Sequence, residues 1–113
     1  MGLLPMIGRE LQLTDAQRDQ VKAIADSHRD EWRGLADRAR TAHLALEAAV
    51  TGNTIDETLI RTRSAEVAAI EADMAVARAH AYAEVVQILT SDQKAKLQTL
   101  QAARQNGRGP RHH

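Results

Sequence analysis

Helix starts are written into this chain three times. Thr14 is followed three residues later by Gln17, Thr54 by Glu57 and Thr90 by Gln93. This spacing is that of a capping box. The threonine hydroxyl accepts a hydrogen bond from the backbone N–H three residues on, and the longer side chain returns to the threonine N–H. Each box fixes where a helix begins, so three of them divide the chain into helices and leave little room for strands. Leu13 and Leu89 precede two of the boxes, where an apolar residue can anchor the incoming chain. Thr51-Gly52-Asn53 ahead of the third box reads as a turn.

The boxes predict a long helix from Asp15 to about Val50, a second from Ile55 to about Ile88 and a last one from Ser91 to about Arg104. A short helix over roughly Pro5–Leu11 precedes them. The reading is an all-α chain of four helices. One domain covers residues 1–104, and residues 105–113, "QNGRGPRHH", form a disordered tail. Composition agrees with helix. There are 21 alanines, two prolines near the ends and six glycines, of which Gly34 alone is awkwardly placed. It also limits the core. With no Phe, one Trp and one Tyr, the apolar side chains are small and bury little area, so help from a partner subunit is expected.

Apolar residues recur at steps of three and four in both long segments. The first carries Val21, Ile24, His28, Trp32, Leu35, Ala39, Ala42, Leu46 and Val50. The second carries Ile55, Leu59, Val67, Ile70, Met74, Ala77, Ala81, Val85 and Ile88. Each is an amphipathic helix of about 50 Å. The short turn predicts an antiparallel hairpin in which paired numbers sum to about 105. On that register Val50 meets Ile55, Leu46 meets Leu59, Leu35 meets Ile70, Trp32 comes near Met74 and Val21 meets Val85. The same register brings the boxes at Thr14 and Thr90 together, within ~15 Å given ordinary helix spacing.

Several function classes fall away. Formal net charge is zero, 15 basic against 15 acidic residues, with no clustered basic face for nucleic acid. No stretch approaches the length of a membrane span. "MGLLPMIG" is too short for a signal peptide and lacks a basic n-region. There is no cysteine, no phosphate-binding glycine loop and no paired catalytic carboxylates, so the expectation is a protein that is not an enzyme.

The two outer boxes share more than their caps. "LTDAQRDQVKAI" aligned with "LTSDQKAKLQTL" matches Arg18 with Lys94, Val21 with Leu97 and Ile24 with Leu100. This double motif, with Leu13, Thr14 and Gln17 near one end and Leu89, Thr90 and Gln93 near the other, resembles the LTxxQ-motif family over about Met6–Ala103. That family includes the Spy and CpxP proteins and metal-resistance relatives. "MIGRELQLTDAQRDQVKAI" and "HRDEW" look most like the Spy branch. The resemblance implies a long helical hairpin with short flanking helices, paired antiparallel as a cradle-shaped homodimer. It implies a periplasmic location, with a signal peptide already removed. It implies ATP-independent binding of unfolded or misfolded envelope proteins, and in CpxP-type members restraint of a sensor kinase. Metal-handling relatives imply an alternative, a divalent-metal sensor or buffer or a regulatory partner of an envelope signalling protein.

Candidate sites follow. The six motif residues are structural caps. Trp32, flanked by Arg29 and Arg33, is either a core or interface residue or a client-binding aromatic. The apolar run containing Leu4, Met6 and Ile7 either docks on the hairpin or contacts partners. The primary expectation is no metal and no cofactor. The alternative is a zinc or nickel site from Asp26, His28, His80 and Glu84, which the hairpin register brings toward one another.

Overall fold

The computed structural model describes residues 9–107. Three helices and no strand occur among them: α1 (Asp15–Val50), α2 (Glu57–Gln87) and α3 (Ser91–Gly107). Most of the expected short first helix lies outside the described residues. Arg9 and Glu10 are helical, Leu11 and Gln12 form a turn, and α1 follows. Gln12 takes the left-handed conformation, φ 54°. Such a residue commonly ends a helical turn and redirects the chain. α3 extends to Gly107, so the first three residues assigned to a tail are helical. The remainder of that tail lies outside the described residues.

The chain divides into two compact units. Met1–Ile24 with Tyr82–His113 form the terminal unit, and Ala25–Ala81 form the central unit. In the terminal unit Leu11, Leu13, Val85, Leu89 and Leu97 are buried. α2 closes with tight i→i+3 bonds, Ile88 N–H to Val85 O and Leu89 N–H to Val86 O, both 3.1 Å. The Gln101 Nε2 donates to the Tyr82 hydroxyl at 2.6 Å and fastens α3 to α2.

The central unit is the hairpin. Ala42, Val67 and Ile70 form a buried cluster, with Ala39, Leu46 and Met74 packed against it. Alanine on α1 faces branched residues on α2, which lets small side chains fill the interhelical space. Arg38 reaches Asp73 at 3.4 Å across the two helices. Both side chains are exposed, so the pair contributes little to stability.

The turn departs from expectation. The third box does not cap α2. Instead Asp56 Oδ1 accepts from the Leu59 N–H at 3.0 Å, and the helix begins at Glu57 rather than Ile55. A carboxylate at the N-cap satisfies an orphan N–H and also opposes the positive end of the helix dipole, which a threonine does not. The later start leaves Ile55 outside the helix. Val50 and Ile55 are 55% and 85% exposed and Leu59 is 37% exposed, so the apolar pairs nearest the turn do not close as core.

Candidate functional site

The two Leu-Thr-x-x-Gln copies meet in the terminal unit. In the first, Gln17 N–H donates to Thr14 Oγ1 (3.1 Å) and Thr14 N–H to Gln17 Oε1 (3.0 Å). In the second, Gln93 N–H donates to Thr90 Oγ1 (3.1 Å) and Thr90 N–H to Gln93 Oε1 (2.9 Å). Both boxes are complete. The glutamine amides then exchange bonds with each other. Gln17 Nε2 donates to Gln93 Oε1 at 2.7 Å, and Gln93 Nε2 to Gln17 Oε1 at 3.0 Å. Each amide has one donor left. Gln17 gives it to Ile88 O (3.0 Å) and Gln93 to Leu11 O (3.4 Å).

A primary amide offers two donors and two acceptor positions. Both glutamines use all four. That explains why the motif requires Gln where a capping box alone would accept Glu. A carboxylate can cap, but it cannot donate to its counterpart or to the carbonyl beyond. Gln17 is buried, and its burial is tolerated because nothing in it is left unsatisfied. The clasp also captures the chain before Leu13, through Leu11 O, and the exit from α2, through Ile88 O. The arrangement joins elements and offers no acid, base or nucleophile.

The Trp32 region lies in the central unit. The His28 ring stacks on the indole with centroids 5.4 Å apart and planes 15° from parallel. His28 Nδ1 also lies 3.3 Å from Glu31 Oε1. Arg29 pairs with Asp26, and Arg33 is exposed. Trp32 is half-buried, and its Nε1 is buried without a hydrogen-bond partner. Leu4, Met6 and Ile7 lie outside the described residues. No group of three or more His, Asp or Glu side chains among the described residues stands where it could hold a metal ion. Asp26 and His28 are engaged with Arg29 and Glu31 instead.

Two surfaces escaped the reading of the sequence. On α2, Thr62, Ala65, Ala69, Ala72, Val76 and Ala79 are all exposed. They recur at steps of three and four; Ala69, Ala72, Val76 and Ala79 stand two residues beyond Val67, Ile70, Met74 and Ala77 of the inward stripe, and two residues turn a helix through about 200°. α2 therefore presents a second apolar seam on the face away from α1. Beside it runs a shallow groove of about 450 Å³ whose lining includes Leu35, Arg38, Asp73, Val76 and His80. The corresponding face of α1 is mixed, with Asp37 paired to Arg40 and Leu44 exposed. The seam is legible in the alanine spacing, but the inward stripe accounts for the hairpin and so hides it. The second surface is the tip, where Val50, Ile55 and Leu59 surround the turn.

The doubled clasp decides the kinship, and the family described as LTXXQ motif family protein matches residues 2–101. The chain belongs to the LTXXQ motif family. No curated protein and no solved structure matches it. As a member of the LTXXQ family it carries both motif copies complete, down to the bonds between their glutamines. No described helix is long and apolar enough to cross a membrane.

Proposed function

We propose that this LTXXQ family chain is a periplasmic, Spy/CpxP-like protein that binds unfolded or misfolded envelope proteins without ATP and without catalysis. The observation that carries this reading is apolar surface left open on a thin hairpin. Val50, Ile55 and Leu44 are each more than half exposed, in a central unit only two helices thick. Scattered apolar side chains on a thin hairpin suit weak, unspecific capture of extended chains better than a shaped ligand site. Arg29, Trp32 and Arg33 supply one mixed patch. The test is aggregation of a chemically denatured client diluted into stoichiometric protein. Suppression of light scattering supports the reading, and unchanged aggregation at every ratio overturns it.

The working form is a homodimer paired through the exposed seam of α2. An outer face that is more continuously apolar on α2 than on α1 favours one side of the hairpin for a partner. Alanine permits close approach of helices, and Val76 supplies bulk. Because the chain has no cysteine, an Ala72→Cys variant offers a single thiol. A short bifunctional thiol reagent should join two such chains efficiently, and should join two Arg33→Cys chains poorly. Equal yields from the two variants overturn this interface. A metal-buffering role gains no support from the described residues, and restraint of a sensor kinase has no residue here that favours it.

A further inference from the structure

We infer that Asn106 is a site of spontaneous covalent modification: at the fraying end of α3 its side-chain amide is converted to a carboxylate, and the chain gains one negative charge.

The chain has two asparagines, Asn53 and Asn106, and they differ in the residue that follows. The reaction uses the backbone nitrogen of that next residue as nucleophile. The nitrogen bonds to the asparagine Cγ and gives up its proton, and the side-chain amide leaves as ammonia. The product is a five-membered cyclic imide. Water then opens either carbonyl of the ring and leaves aspartate or isoaspartate. The sum is amide and water going to acid and ammonia, with no oxidant, reductant or enzyme required. Gly107 follows Asn106 and has no Cβ to shield its nitrogen. Thr54 follows Asn53, and its branched Cβ crowds the attack. Asn53 is therefore protected although it lies in the exposed turn of the hairpin.

Backbone conformation is the second requirement. A helical asparagine cannot close the ring. Its ψ turns the next nitrogen away from Cγ, and a helical N–H is bonded to the carbonyl four residues back. Ring closure waits for the local helix to open. Asn106 and Gly107 are the last two residues of α3 (Ser91–Gly107). From Ala102 to Asn106 every side chain is exposed, so no burial holds this turn closed. A helix end of this kind opens at little cost. Gly107 weakens it further, since glycine is a poor helix former.

The new carboxylate falls where the helix accommodates it least. The C-terminal end of a helix is the negative end of its dipole, which suits Arg104 and opposes an acid. Conversion therefore favours the open turn once it has opened. The charge balance of the chain shifts as well. With 15 basic and 15 acidic residues the formal charge is zero, and one more acid makes it −1. The converted chain is an acidic variant that isoelectric focusing resolves.

The test is incubation of the full-length protein at neutral pH and physiological temperature, followed by peptide mapping with mass spectrometry and an isoaspartate assay. The expected result is conversion at Asn106, with isoaspartate among the products, while Asn53 remains an amide. The same protein held unfolded in guanidinium chloride gives the reference rate. Folded protein should convert at Asn106 within about tenfold of that rate, because a fraying end is open much of the time. A slower folded rate means that α3 stays closed through Gly107, and it overturns the inference. Conversion at Asn53 in preference to Asn106 overturns it too. Gly107→Ala should suppress both the conversion and the acidic variant; undiminished conversion removes the glycine from the explanation and the inference with it.

Discussion

Gln17 and Gln93 are the residues on which the terminal unit turns. Replacing Gln17 by Ala removes the partners of Thr14 N–H, Ile88 O and the Gln93 amide at once. Loss of buried hydrogen-bond partners costs about 1–3 kcal/mol, which urea unfolding should register. The same change at Gln93 should cost as much. Because the two amides bond each other, the double variant should fall short of the sum by about 0.5–3 kcal/mol, the coupling expected of residues in one network. Trp32 predicts the opposite behaviour. Its Nε1 is a buried donor without an acceptor, so Trp32→Phe removes a liability along with some packing area. A stability change within about 1 kcal/mol is expected, and thermal melts followed by circular dichroism will measure it. At this scale the caps were legible in the sequence, since a capping box is a local spacing. The exchange between the amides was not. It depends on two residues 76 positions apart meeting at hydrogen-bond distance, which only the tertiary fold decides.

At the scale of elements, the helix layout follows from periodicity and breaks down where two cap residues compete. Thr54 and Asp56 both stand where α2 could begin, and the sequence pattern favours Thr54 because Glu57 completes its box. The carboxylate prevails because it caps and answers the helix dipole together. Asp56→Ala should therefore lower stability by about 1 kcal/mol, whereas Thr54→Ala should leave it nearly unchanged. Equal effects on urea midpoints would show that the threonine caps after all. Gly34 gives a second test within α1. A Cβ built there meets nothing within 4 Å. Gly34→Ala should stabilise the helix by up to ~1 kcal/mol, read as a higher melting temperature. The α2 stripe illustrates a different limit of sequence reading. Once one apolar face explains a hairpin, a second face two residues out of step is easily taken for alanine filler.

For the whole molecule, the proposed pairing through the exposed α2 seam predicts stability that depends on association. A protein whose folded form pairs melts at a temperature that rises with its concentration. Val76→Glu places a charge in the seam and should abolish that dependence. Leu44→Glu, on α1 and outside the seam, should preserve it. Melting curves at several concentrations distinguish the two. Surface ion pairs such as Arg63–Glu66 and Arg40–Asp37 contribute little to this total and should be insensitive to substitution.

The clasp between the motif copies is built from leucine, threonine, glutamine and backbone, and none of these groups titrates. Acid that protonates every surface carboxylate of the chain leaves all eight of its hydrogen bonds chemically unchanged. The joint that closes the two ends of the sequence is thus blind to pH. A protein held this way can stand in a medium whose acidity it does not control and keep its terminal unit shut.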